Sequence, residues 1–272
     1  MRIVSPAPEG NPYTVNITVE SADPVEIWAD RARIGEVPPN GTLRWRAPEA
    51  GDVRLDAYAM RDGRAVARDQ RTVEVGVGLD SEVLAEVARY PTDGSMGYWW
   101  PPDDGIWWGT PHDLTYDGTL VSPADPEGRS HCVGLTWEVG MEALEAEAGG
   151  GVVNDLTLDD VTELRTDWFV RRIFDKGAAD AVAHYGVGEL VPWRDLQPGD
   201  FLQMWYPGGG GHSAVFIDWV RQGRRIVGLR YWSTHPALGG IGYREERFGE
   251  GGPSKALLYG ARLWQREDWL PR

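Results

Sequence analysis

The chain holds one cysteine, Cys132, within Arg129-Ser130-His131-Cys132-Val133-Gly134-Leu135-Thr136, where a Gly/Pro-rich stretch turns into an amphipathic segment. A thiol in the first turn of a helix meets unpaired backbone N–H groups and the positive end of the helix dipole, which favour the thiolate. Burial as a small hydrophobe is the commoner fate of a lone cysteine. Downstream, Gly208-Gly209-Gly210-Gly211 leads into His212, which opens the strand-like run Ser213-Ala214-Val215-Phe216-Ile217. A histidine at the rim of a sheet, facing a helix-borne thiol, takes its proton and makes it a nucleophile.

A third member is sought by strand register. Gln222-Gly223 suits a two-residue hairpin turn, which sets His212 opposite Ser233, with His235 two residues on and on the same face. Either residue is then a candidate to orient the imidazole. Ahead of the cysteine, Trp99, Trp100, Trp107 and Trp108 are four of the fourteen tryptophans, and Tyr116 follows. Trp107, Trp108 and Tyr116 are the substrate-binding candidates: an indole N–H or a phenol donates to an oxyanion, and the rings wall a cleft or else fill a core.

These residues resemble the NlpC-like branch of bacterial papain-fold cysteine peptidases and amidases, many of which cut cell-wall peptides. The resemblance runs over roughly residues 79–265: a leading helix, an aromatic-Gly stretch, the Cys132 segment, Leu196-Gln197-Pro198-Gly199-Asp200-Phe201 turning into a strand, and His212. It implies an α+β, papain-like domain of helices packed on an antiparallel sheet, with Cys132 as nucleophile, His212 as base and Ser233 or His235 as the third polar position. A residue upstream of the cysteine would complete the oxyanion site. Two departures stand out: the family's usual Asp-Cys-Ser-Gly-Leu is His131-Cys132-Val133-Gly134-Leu135 here, and the family's third position is more often His, Asn or Gln than Ser. The implied activity is cleavage of an amide bond, in peptidoglycan stem peptides, through an acyl-enzyme. Acyl transfer to an amine, as in transglutaminases, uses the same pair, and a catalytically inactive papain-like binding protein is the alternative of a different class.

The elements that must position these residues follow from patterning. At 272 residues the chain suits two modest domains. Residues 1–76 carry period-two alternation at 13–19, 25–29, 53–59 and 72–75, with turn signals at Pro38-Pro39-Asn40-Gly41 and Asp62-Gly63, which reads as a small immunoglobulin-like β-sandwich for positioning or recognition. Residues 77–272 form the candidate hydrolase domain. Helices are expected over 81–90, from Cys132 to about Ala148, from Asp159-Asp160 to near Gly177, and over 180–185, with strands at 201–205, 212–217, 226–233, 243–248 and 256–263. Runs of helices followed by strands suit α+β better than parallel βαβ units. Glu138 and Glu142, one turn apart on the Cys132 helix, read as an exposed face.

The net charge of −15 argues against nucleic-acid phosphates or an anionic membrane as partner, because each contact begins with like-charge repulsion. His112-Asp113 and Asp103-Asp104 are too sparse for a metal centre, and the glycine runs lack a following Lys-Ser/Thr, so no metal, nucleotide or other cofactor is expected. One cysteine permits no internal disulfide. The first ten residues lack the apolar core of a signal peptide and no stretch is long enough to span a membrane, so the chain reads as soluble, cytoplasmic, exported by a non-classical route, or written without its leader. The oligomeric state stays open.

Overall fold

The computed structural model describes residues 1–8, 14–47, 51–75, 79–100, 108–223, 225–249 and 251–271. The chain divides into two compact units, Met1–Val77 and Gly78–Arg272, within a residue of the expected boundary.

The first unit holds strands β1 (Arg2–Pro8), β2 (Thr14–Glu20), β3 (Val25–Ala29), β4 (Ala32–Val37), β5 (Thr42–Arg46), β6 (Gly51–Arg61) and β7 (Arg64–Val75). They pair antiparallel as two sheets, β1-β2-β5 and β4-β3-β6-β7. Alternation decides the packing: Val15, Ile17 and Val19 of one sheet and Val25, Ile27, Leu55 and Ala57 of the other point inward and share a single core. Asp62-Gly63 is the turn between β6 and β7, with both residues at positive φ as a type I′ turn demands. Strands β1, β4 and β5 escape the sequence reading because they are short or carry weak apolar alternation.

The second unit runs α1 (Asp80–Val87), β8 (Leu114–Tyr116), β9 (Thr119–Ser122), α2 (Cys132–Glu147), α3 (Leu158–Trp168), α4 (Ala178–His184), β10 (Gly188–Pro192), β11 (Phe201–Trp205), β12 (Gly211–Gln222), β13 (Arg225–His235), β14 (Gly240–Arg247) and β15 (Leu258–Leu263). Six strands form one antiparallel sheet in the order β10-β15-β11-β12-β13-β14, so the unit is α+β as expected. Helix α3 stops well short of Gly177: Val170 sits at φ 58°, a conformation that a β-branched residue cannot carry within a right-handed helix. No described helix is long and apolar enough to cross a membrane.

The two faces of the large sheet pack differently. On one face Phe201, Val215, Trp232 and Ala261 meet Leu135, Trp137, Leu164 and Trp168 of the helices. On the other, Leu202, Met204, Ala214, Phe216 and Tyr231 form a separate small core. Strand β11 is anchored by Asp200, the aspartate of the Pro-Gly-Asp-Phe turn. This fully buried carboxylate accepts from Arg262 Nε at 2.7 Å and Nη2 at 2.6 Å and from the Gln197 N–H at 2.7 Å. Asp80 lies 3.7 Å from the same guanidinium. Burial and the charge of Asp200 push the Asp80 carboxyl well above its ordinary range, and burial raises Asp200 to about 6 against the opposing pull of Arg262.

Arg262→Ala would strand a buried carboxylate, and a loss of about 3–5 kcal/mol in urea unfolding is expected; a loss below 1 kcal/mol would show that the pair is not a structural anchor.

Candidate active site

Cys132 is the first residue of α2, and His131 caps the helix: in extended conformation, its Nδ1 accepts the Gly134 N–H at 3.0 Å. The cap ring lies 4.7 Å from Trp100 and 5.7 Å from Phe169. Burial pushes the half-buried Cys132 thiol up, against the opposing pull of the backbone N–H groups of Ser213, Val133 and Cys132 itself. At this helix terminus burial opposes the thiolate that the helix start was expected to favour.

Gly134 explains the approach of the preceding chain. A Cβ there would lie 2.0 Å from the carbonyl oxygen of Trp108 and 2.5 Å from that of Gly109, so only glycine lets this backbone lie on the helix. Trp108 is thereby held beside the α2 start, with the Arg165 guanidinium 3.6 Å from its ring centroid and Phe169 edge-on at 5.8 Å. Trp107 lies outside the described residues, as do Asp103 and Asp104. Tyr116 lines no cleft: it is fully buried, its hydroxyl donating to the Leu156 carbonyl at 2.9 Å and accepting the Val153 N–H at 3.0 Å. Its role is to tie the β8–β9 hairpin to the chain after α2.

The pleat separates His212 from the helices. The Ser213 hydroxyl donates to Gln203 Oε1 at 2.7 Å, on the side where Phe201 and Val215 meet α2, while His212 pairs with Met204 and belongs to the opposite face. Its ring stands 5.3 Å from Tyr231 and 5.5 Å from His235. Its Nε2 is buried without a partner, and among the described residues no hydrogen bond joins it to Cys132. Burial, followed by the charges of His235 and Arg244, lowers its pKa to about 3.

Neither expected orienting residue bonds the imidazole. Gln222 pairs with Arg225 and Val215 with Trp232, so the hairpin turns one residue later than expected, and this register sets His212 level with His235 rather than Ser233. The two-residue shift preserves the face, as the period demands. Beyond Val215 and Trp232 the ladder stops, and the Ser233 hydroxyl bridges the gap by donating to the Ser213 carbonyl at 2.7 Å. His235 Nδ1 accepts the Ala237 N–H at 3.0 Å and lies 2.7 Å from Arg244 Nη1. Arg244 in turn pairs with Glu246, which also accepts from Tyr206 and Tyr231 at 2.8 Å each.

A second polar cluster escaped the sequence reading. Glu138, expected on an exposed face, is fully buried: its Oε1 accepts from Tyr90 Oη at 2.7 Å and lies 2.7 Å from His112 Nδ1, and its Oε2 accepts the His112 N–H at 3.2 Å. The signal was available in the apolar residues surrounding position 138 on both helix faces, which mark a helix buried all round. Burial raises Glu142 to about 7, with the Glu138 and Glu86 charges adding to the effect.

Comparison with known proteins finds no matching family, no matching curated protein and no matching solved structure.

Gly134→Ala is expected to destabilise the protein by about 1–3 kcal/mol by forcing the 108–109 backbone off α2, checked by urea unfolding; an unchanged midpoint would mean that the segment is not pinned there. His212 makes acid sensitivity testable. A histidine whose folded pKa is depressed adds stability that is full above the unfolded value near 6.5 and is lost as pH falls toward 3. His212→Leu should flatten the fall in urea midpoint between pH 7 and pH 4 by the equivalent of a few kcal/mol, whereas parallel curves would show that His212 is solvated.

Proposed function

We propose that the protein is a cysteine hydrolase of papain-like, NlpC-type character that cleaves an amide bond in peptidoglycan stem peptides, with Cys132 as nucleophile and His212 as base. The observation that carries this reading is the placement of Cys132 at the first position of α2, a helix packed on β12, whose second residue is His212. The start of β12 has no ladder partner on β13 beyond Val215 and Trp232, and a turn of this strand end that exchanges the faces of His212 and Ser213 brings the imidazole to the α2 side. Its Nε2 has no hydrogen bond to lose in that movement.

Burial disfavours both thiolate and imidazolium, so the chemistry is general-base catalysis. The imidazole takes the thiol proton as Sγ attacks the carbonyl carbon, and the developing oxyanion accepts from the Cys132 and Ser213 N–H groups. The imidazolium then protonates the departing amine, leaving a thioester on Cys132. Water, deprotonated by the same imidazole, releases the acid. An amine in place of water gives acyl transfer. Trp100, Trp108 and Phe169 around His131 supply an aromatic wall for the acyl chain.

The resting geometry also favours a second reading, a binding protein on the same scaffold. The imidazole packs on Tyr231 and His235 on the sheet face away from α2, and burial disfavours the thiolate.

Incubation with purified peptidoglycan separates the two. Release of stem peptides by wild type, none by Cys132→Ala and a loss of at least a hundredfold in His212→Ala, with sedimentation on the wall retained in both variants, is the hydrolase result. Equal sedimentation of all three proteins with no peptide released identifies the binding protein.

A further inference from the structure

The outer face of sheet β4-β3-β6-β7 carries chemistry that the β-sandwich does not need. Its inward residues fill the core, whereas Trp28 of β3 and Arg54, Asp56, Tyr58 and Met60 of β6 point outward and line an open groove of about 420 Å³. That volume lies within the range of small-ligand sites. In the ladder Trp28 faces Asp56 and Glu26 faces Tyr58, so the indole and the phenol are diagonal neighbours on one surface. Both are only half-buried, and with Met60 they form an apolar platform on the face turned away from the unit's own core.

The polar groups around this platform are held in place. Asp56 is 5% exposed and accepts from Arg54 Nη2 at 3.1 Å and Arg68 Nη2 at 2.6 Å. Burial alone would raise its pKa, but the hydrogen bonds from Arg68 and Arg54 outweigh it and keep the carboxylate ionised. Two guanidiniums are thus locked on one buried carboxylate, with most of their five N–H donors each left over for another acceptor. Arg31 adds a third. It occupies the second central position of the β3–β4 turn at φ 75°, where a type I′ turn favours glycine, and it carries no ion pair among the described residues. A non-glycine residue kept in this conformation at the rim of a groove is the kind of local strain that marks a working surface.

We infer that this groove binds a glycan: the C–H face of a pyranose ring stacks on Trp28, and its hydroxyl or carboxylate oxygens accept from Arg54, Arg68 and Arg31. A polynucleotide is disfavoured because Asp56 and Glu26 offset the arginines within the groove. An added peptide strand needs a free sheet edge, and this is a sheet face. Residues 1–77 hold ten arginines and twelve acidic side chains, so the unit is nearly neutral, and the charge of −15 resides mainly in residues 78–272. The unit can therefore approach either a neutral or a carboxylate-bearing glycan.

The site is independent of chemistry at Cys132, and its test uses the full chain carrying Cys132→Ala, so that failure of the hydrolase reading leaves the outcome intact. Calorimetric titration with chitohexaose, a neutral oligosaccharide, and with peptide-free peptidoglycan glycan strands, which carry lactyl carboxylates, distinguishes the two glycan types. Binding of at least one, weakened tenfold or more by Trp28→Ala and at least threefold by Arg31→Ala, supports the site. Because Arg31 lies on an exposed turn, its variant reports even if Trp28→Ala fails to fold. Binding of neither glycan at millimolar concentration, binding indifferent to both substitutions, or a dimer that Trp28→Ala dissolves would overturn it.

Discussion

Helix α2 is buried on nearly every side, and the second unit is arranged to make that burial possible. A helix with so little solvent contact must satisfy each polar group internally. Glu138 is met by Tyr90 and His112, the Trp137 indole donates to Ser122, and the Thr136 hydroxyl donates to Val133 while accepting from Trp168. Close approach is bought with missing side chains. Gly134 admits the 108–109 backbone, and at Gly140 a Cβ would lie 2.6 Å from the Trp168 ring. The helix start is thereby delivered to the place where β12 and β13 part.

That delivery sets the chemistry of the thiol through two opposing effects. Backbone N–H groups pull its pKa down, burial pushes it up, and burial prevails. Burial likewise disfavours an imidazolium at His212, on the other face of the sheet. An enzyme with this resting state would form its ion pair only as substrate arrives. A binding protein would never need to.

The first unit obeys a simpler rule. Alternation sorts its residues into a core of Val, Ile, Leu and Ala and an outer surface free to vary, and on that surface aromatic rings stand beside arginines fixed by a shared aspartate. The near-neutral charge of this unit and the strong acidity of the other divide surface properties along the domain boundary.

Local pattern sufficed for much of this. Two units, an antiparallel α+β second unit, a helix beginning at Cys132, strands at 201–205 and after His212, and the turn at Asp62-Gly63 all follow from periodicity of 3.6 or 2, caps and glycine placement, because each depends on residues close together in the chain. Short elements such as β8, β9 and β10 span too few residues to show a period. The site needed more. Whether His212 or Ser213 faces α2 depends on the parity of β12 within a sheet whose two faces are both apolar, so composition cannot choose between them. The partners of Ser233, His235, Tyr116 and Glu138 depended on a turn placed one residue later and on contacts from distant segments. Sequence by itself determined which elements form and where the one thiol sits. Tertiary structure alone decided which face each polar group takes and how far burial shifts it, because desolvation and register are properties of the whole packed unit.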